Sequence, residues 1–409
     1  MRKSQQRSLV AGALLGAGLV SGGLLIQSGA WREARASAAS GTPRLLQEVM
    51  ARVRADYIDT VSVDEMYRRA ASGLVKEVED PYSVLLTPDR FRRLRESTSG
   101  RYAGIGVELG MREGFVTVIA PLANTPADSA GIAPGDHLTS IDGKTTIGLT
   151  MDEVQQMLRG AIGSRVTLGL DRASGHRTLT LTRRMITYHP VQRSELLGDV
   201  GYVELATFSE DAADEVRRAV DALRARGARS LILDLRENPG GLLEQGIGVA
   251  DLLLDRGQTI ASTRGRTSDA DHEFTDGSAQ PWPTMPVVAL IDSGTASAAE
   301  IVAGALQDNK RALLVGSDTY GKGSAQSVFP ISDGYALKLT TARWFTPDGR
   351  TIERDSTAGG IKPDVAVSGA PTPGRAADLA SDPVVARALQ LLSGVTTADQ
   401  LRARTPKRK

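Results

Sequence analysis

PVVALIDSGTASAAEIVAGALQD, residues 286–308, passes from an apolar run to a helical pattern through a turn of small residues. PVVALIDSG reads as a buried strand and SAAEIVAGALQD as the helix that follows it. Ser297 falls in the first turn of that helix, where unpaired N–H groups and the helix dipole favour negative charge. Ala296, Ala298 and Ala299 keep the neighbourhood small enough for a substrate backbone to approach. A serine here serves either as an N-cap, which is common, or as a nucleophile. The second role needs a base and an oxyanion hole.

The same strand–helix alternation extends over residues 185–368 and indicates an α/β or α+β core. RSLILDLR reads as a strand, LLEQGIGVADLLLDRG as a helix, and RALLVG and YALKLTTARWF as further strands. DLRENPGG, residues 234–241, follows the first of these strands with a Pro-Gly-Gly turn. The backbone N–H of Gly240 or Gly241 could supply one oxyanion donor and that of Ala298 the other; the bland alternative is a tight turn. For the base, the histidines His137, His176, His189 and His272 lie in no recognisable partner motif. TYGKGSAQ instead offers Lys322 between two glycines, with Gln326 four residues on to orient it. Burial against apolar walls would lower the pKa of the amine and leave it usable as a base near neutrality.

Residues 101–183 have a different texture, with short β-rich runs separated by glycine turns and one helix, TMDEVQQMLRG. YAGIGVEL, SAGIAPGDHLTSIDG and TMDEVQQML resemble, in that order, the carboxylate loop, central signature and groove helix of a bacterial protease-type PDZ domain. A Gly104-Ile105-Gly106 turn can aim N–H groups at an anion, and a strand edge beside an apolar helix can add an extended peptide. The expected peptide contacts are Gly104, Ile105, Gly106 and Val107 from the loop, with Val154 and Leu158 from the helix.

Taken together, TASAAEIVAGALQD, YGKGSAQ, DLRENPGG and WFTPDGRTI…GGIKPDVAV resemble the carboxyl-terminal processing peptidases, or tail-specific proteases, over residues 42–369. The resemblance implies Ser297 as nucleophile, Lys322 as general base, Gln326 as the residue orienting the lysine, and Ala298 with Gly240 or, preferably, Gly241 as oxyanion donors. It implies a Ser/Lys dyad endopeptidase whose PDZ domain binds the C-terminal tail of an unstructured protein substrate. It requires neither cofactor nor metal. The family also admits an activating adaptor lipoprotein. Ala299 stands where many members carry serine, and Glu237 where glycine or asparagine is common.

The implied architecture is multidomain: an N-terminal segment at 1–38, a helical region at 39–97, a PDZ β-barrel-like domain at 98–184, a crotonase/Clp-like mixed α/β protease core at 185–369, and a linker, short helix and basic tail at 370–409. Length alone, 409 residues, points to more than one domain. Helical stretches at 42–95 and 382–393 suggest a homo-oligomer.

Arg2, Lys3 and Arg7 precede an apolar run from Leu9 to Ile26, and ARASAAS offers cleavage after Ala36 or Ala38. A cleaved export signal fits better than an anchor, because glycines dilute the run. The expected location is the periplasm or the outer face of the membrane. The absence of cysteine removes thiolate catalysis, disulfides and zinc–thiolate sites. A net charge of +1, from 49 basic and 48 acidic residues, argues against a nucleic-acid partner.

Among rivals, GSDTYGKG approaches a phosphate loop, but Gly323 occupies the Ser/Thr position and a strand follows. An acyl-CoA enzyme shares the oxyanion logic without the PDZ domain. A Ser-His-Asp hydrolase would need one of the four histidines. A catalytically silent PDZ adaptor is the alternative from another class, and the intact serine, lysine and glutamine set disfavours it.

Overall fold

The computed structural model describes residues 43–172, 175–354, 359–368 and 379–404. The expected export segment, most of the expected linker and the basic tail lie outside the described residues. Among the described residues no helix is long and apolar enough to cross a membrane.

The amino-terminal region runs α1 (Pro43–Asp56), α2 (Val63–Lys76), β1 (Val84–Leu86) and α3 (Pro88–Ser99). Ser62 and Thr87 cap α2 and α3, and Pro88 opens α3 where a missing N–H costs nothing. The sequence pattern predicts helices throughout this region, with a break at its two prolines. The break contains a strand: β1 pairs antiparallel with a strand of the mixed α/β core.

The PDZ domain follows as β2 (Arg101–Gly104), β3 (Val107–Arg112), β4 (Phe115–Pro121), the short α4 (Pro126–Ser129), β5 (His137–Ile141), β6 (Lys144–Thr145), α5 (Met151–Leu158), β7 (Arg165–Arg172), β8 (Gly175–Thr182) and β9 (Arg184–Thr187). Its sheet has the order β3-β4-β5-β7-β8, so β3 is an edge, while β2 and β9 pair where the chain enters and leaves. A capping box between Thr150 and Glu153 starts α5. Its apolar face closes the sheet: Val154 and Leu158 pack with Val118, Leu138 and Val166.

The core comprises β10 (Val191–Leu197), β11 (Val200–Leu205), α6 (Ala212–Ala225), β12 (Ser230–Asp234), α7 (Leu243–Asp251), β13 (Thr259–Gly265), β14 (His272–Thr275), β15 (Val287–Ile291), α8 (Ala298–Asp308), β16 (Ala312–Gly316), β17 (Ser324–Pro330), β18 (Ala336–Phe345) and β19 (Val365–Ala366). Two helices end the described chain, α9 (Pro383–Leu392) and α10 (Ala398–Arg402). One sheet has the order β10-β11-β12-β15-β16-β19 and is parallel except at β10. Strand periodicity divides its residues between two covers. Leu231, Leu233, Val287, Ala289 and Ile291 meet α6, α7 and α8 on one face. Ile232, Val288, Leu290, Leu313 and Val315 meet α9 on the other. Both faces are covered, which is why β12, β15 and β16 read as continuous apolar runs. In the stretch at 382–393, read from sequence as a helical arm suggesting a homo-oligomer, α9 buries its apolar stripe against its own chain.

A second sheet, β1-β18-β13-β14 with β17 also on β18, stands beside the first. The carboxyl end of β12 is tied to α9 by charge. Asp234 accepts from Tyr202 Oη (2.7 Å) and from Arg236 Nη2 (2.6 Å), and Arg236 Nη1 reaches Asp382 at 2.8 Å. All three charged side chains are nearly inaccessible. Replacing Arg236 by alanine leaves two buried carboxylates unpaired and is expected to lower the unfolding free energy by about 3–5 kcal/mol, read from urea denaturation. A loss below 1 kcal/mol would show that the network does not hold α9 to the sheet.

Candidate functional site

Adjacent parallel strands β12, β15 and β16 end on the same side of the sheet, and the loop after each one contributes to one cleft. Ligands of open α/β sheets bind outside the carboxyl ends of the strands.

The loop after β12 carries Glu237-Asn238-Pro239-Gly240-Gly241. Asn238 is fully buried and works in three directions. Its Nδ2 donates to Leu205 O (2.6 Å), its Oδ1 accepts from Gly240 N–H (2.9 Å), and its carbonyl accepts from Ala296 N–H (2.9 Å). The turn is thereby pinned to the serine loop. A Cβ on Gly240 would lie 2.7 Å from Ala296 O, 2.8 Å from Ser297 Cβ and 2.9 Å from Ala298 N, so only glycine fits between the two loops. The Gly240 N–H is spent on Asn238, whereas those of Gly241 and Ala298 have no acceptor among the described residues. Of the two glycines, Gly241 is thus the one whose N–H is available to a ligand.

The loop after β15 is laced to the first. Asp292 Oδ1 accepts from the backbone of Glu237 (2.9 Å), Gly294 (2.9 Å) and Thr295 (3.1 Å), and Thr295 Oγ1 donates to Leu235 O (2.7 Å). Ser297 sits at φ 56°, ψ −118°, immediately before α8. A non-glycine residue in this region carries roughly 1–3 kcal/mol of strain and persists only where its surroundings impose it. A strained strand-to-helix turn is also how nucleophilic serines are lifted out of a sheet.

The imposing group is Glu300, three residues into α8 and fully inaccessible to solvent. Its Oε1 accepts from Thr319 Oγ1 (2.6 Å) and Gly321 N–H (2.7 Å), and its Oε2 accepts from Lys322 N–H (2.9 Å) and Ser297 N–H (2.9 Å). Burial raises its pKa, and the four donors oppose that rise. A single carboxylate thus holds the backbone of Ser297 and of Lys322 side by side. Their side chains line one cavity of about 190 Å³, together with Gly240, Gly241, Phe208, Val328 and Lys338.

The Lys322 amine is largely desolvated and lies 5.0 Å above the centre of the Tyr82 ring. Burial first, and then the neighbouring Lys338 charge, lowers its pKa to about 8; Glu300, Glu353 and Asp80 pull the other way. Its carbonyl accepts from Trp344 Nε1 at 2.9 Å. Gln326 is buried one strand position away from solvent on β17, and its Nε2 donates to Ser324 Oγ (3.0 Å) and Thr340 Oγ1 (3.3 Å). No hydrogen bond joins it to Lys322 among the described residues. Gln326, Ser297 and Gly241 also line a second, narrow recess of about 20 Å³ walled by Leu243, Ile301 and Trp344.

The histidines are engaged elsewhere: His137 with Thr117, His176 with Asp171, His189 with Glu215 and His272 with the Asp269 carbonyl. None lines either cavity. In the PDZ domain, Gly106 has φ 76° and no room for a Cβ against Thr125. Val107 is half-exposed on the edge strand β3, whereas Ile105, Val154 and Leu158 belong to the domain core. The side chains of these three expected peptide contacts thus pack inside the domain.

Sequence reasoning passed over Glu300, Asn238, Tyr82 and Lys338. Ser297-x-x-Glu300 is a capping-box pattern and was available as a signal. Tyr82 reaches the cleft through the β1–β18 pairing and Lys338 through the β17–β18 pairing, neither of which local pattern reveals.

Comparison with known proteins agrees with this arrangement. Residues 199–367 match peptidase family S41 and residues 117–172 match the PDZ domain. A carboxy-terminal-processing protease of Bartonella bacilliformis is 35% identical over 326 residues, 78% of this chain and 74% of that protein. The carboxy-terminal processing protease CtpA of Bacillus subtilis is 33% identical over 332 residues, 80% and 70% of the two chains. Among solved structures, one assigned to the S41 proteases from Bacteroides fragilis shares the fold, with a TM-score of 0.53 at 18% identity over 85% of this chain and 97% of that one. A PDZ domain inserted between helices and a mixed α/β core, with a cleft at the carboxyl ends of three parallel strands, is thus found in a chain that belongs to peptidase family S41 and is a carboxy-terminal processing serine protease.

Proposed function

We propose that Ser297 is the nucleophile of this protease and Lys322 its general base. The observation that carries the reading is the shared Glu300 anchor, which sets both residues on one cavity. Neutral Lys322 takes the Ser297 proton as Oγ attacks the scissile carbonyl. The oxyanion receives N–H groups from Gly241 and Ala298. The lysine then passes its proton to the leaving amine, and the freed amine activates the water that hydrolyses the acyl-enzyme. Gln326 is fixed by Ser324 and Thr340 on the strand after the lysine loop, and the family resemblance gives it the role of orienting the amine.

The substrate is an unstructured protein tail. Edge strand β3 offers unpaired backbone to an extended peptide, and the Gly104–Gly106 turn offers N–H groups to its carboxylate. The protein is exported, on the strength of the basic start, apolar run and Ala-x-Ala sites within residues 1–38. An adaptor lipoprotein and a homo-oligomer remain consistent with this setting.

Ser297→Ala and Lys322→Ala are each expected to reduce cleavage of a tailed substrate by at least about 10³-fold; retention of wild-type turnover by either would refute the dyad. Since the neutral amine is the active form, kcat/KM should rise with pH through a limb centred near pH 8.

The narrow recess beside Ser297 has space for about one water-sized group. A substrate with alanine on the acyl side of the cut is therefore expected to be cleaved at least about tenfold faster than one with leucine or phenylalanine. Equal rates would place that side chain elsewhere.

The buried amine also costs stability. The folded chain releases this proton near pH 8 and the unfolded chain near 10.5, so the unfolded chain binds more protons between those values. The destabilisation is full below pH 8 and fades as pH rises to 10.5. Lys322→Met is expected to raise unfolding free energy at pH 7 by on the order of 1–3 kcal/mol, with the gain lost above pH 10.5. Edman sequencing of the mature protein should begin at Ser37 or Ala39; a start at Met1 would argue for an anchor.

A further inference from the structure

Lys322 shares its cleft with a second amine. Lys338 lines the same cavity as Ser297 and Lys322. It lies in the middle strand of three, opposite Val328 of β17 and opposite Val84 of β1. Its side chain is half-buried, and burial disfavours its charge.

An acid from another part of the chain faces both lysines. Asp80 stands in the loop between α2 and β1, where its Oδ1 accepts from Tyr82 N–H (3.0 Å) and its Oδ2 from Ser83 Oγ (2.5 Å). Ser83 Oγ in turn accepts the Thr340 amide at 3.1 Å, two residues along β18 from Lys338. Thr340 Oγ1 accepts from Gln326, so hydrogen bonds link Asp80 through Ser83 and Thr340 to Gln326. Tyr82, between Asp80 and Ser83 in this loop, supplies the ring under the Lys322 ammonium.

We propose that Lys338 and Asp80 form an opposed pair of positioning charges, one on the protease sheet and one on the amino-terminal region, that sets the pH at which Lys322 works. The proposal rests on the reading of Lys322 as the base. A like charge in a water-poor cleft disfavours the protonated amine, and a carboxylate favours it. Lys338 acts on Lys322 in the first sense and Asp80 in the second. Asp80 also favours the charged form of Lys338 and so sustains the cation that opposes it.

The other groups facing Lys322 are Glu300 from α8, Glu353 from the segment after β18, and Tyr82 with its partner Tyr320. Glu300 is committed to four donors. The Tyr82 hydroxyl, pushed up to about 12 by burial and by its hydrogen bond with Tyr320, stays protonated and does not compete as a base. Neither Lys338 nor Asp80 takes part in the bonds to Glu300, so each can be replaced with the Ser297–Glu300–Lys322 scaffold intact.

The test compares Lys338→Met, Lys338→Arg and Asp80→Asn in the full chain, with a peptide bearing an unstructured C-terminal tail as substrate. Lys338→Met should move the acid limb of kcat/KM to higher pH by about 0.5–1 pH unit, Lys338→Arg should keep the wild-type midpoint, and Asp80→Asn should move it to lower pH. A second readout avoids turnover: reductive methylation of the Lys322 amine against pH, followed by peptide mapping, in a Ser297→Ala background. The same opposite displacements are expected there. An unmoved Lys322 titration in Lys338→Met, or displacement in the same direction by Lys338→Met and Asp80→Asn, would overturn the proposal. Full cleavage by Lys322→Ala would instead overturn the base assignment, while the methylation profile would still decide the charge pair.

Discussion

The Glu300 carboxylate is the constraint on which the rest of the site depends. A carboxylate with no access to water is tolerated only when its lone pairs are filled, because the cost of an unsatisfied buried charge runs to several kcal/mol. Every donor that fills them comes from the two loops that must meet: Ser297 from the loop after β15, and Thr319, Gly321 and Lys322 from the loop after β16. Satisfying Glu300 and assembling the cleft are therefore one event. The same bonds explain why Ser297 can remain at a positive φ, since releasing it would leave the carboxylate short of a donor.

This arrangement works because the sheet beneath it is parallel. Parallel order brings the carboxyl ends of β12, β15 and β16 to one side, so three successive loops project together. Covering the sheet by α6–α8 on one face and α9 on the other makes that platform rigid. The second sheet then supplies a wall. Its β17 carries Gln326, its β18 carries Lys338, and the Trp344 indole fixes the Lys322 carbonyl.

Elements governed by local pattern were legible in the sequence. The run from Val287 to Asp308 reads correctly as strand, turn and helix because burial on both faces writes continuous apolar residues into a strand. Ser297, Lys322, Gly240 and Gly241 were singled out because they lie in turns of small residues beside apolar runs, and the family resemblance supplied their roles. What escaped depends on contacts between distant segments. Nothing in EDPYSVLLTPDR announces that Tyr82 will lie on Lys322, since that position follows from three residues of β1 pairing with β18. Likewise Val154 and Leu158 have the spacing of a groove face and of a core face alike. Their packing against Val118, Leu138 and Val166 puts both side chains in the core.

Strain and desolvation are concentrated around one point: a serine at positive φ, an amine held out of water, and a carboxylate with no solvent contact. Each of these opposes folding, and none is needed to close the hydrophobic core. Their combined cost is carried by packing some distance away, in the clusters on either side of the parallel sheet. The amino-terminal region belongs to the same account. Its contact with the second sheet is made by β1 and a small cluster of Leu86, Val328 and Ala336, yet it contributes Asp80 and Tyr82 to the surroundings of the amine. The environment of the lysine is thus set in part by this junction, while the position of its backbone is set within the core by Glu300.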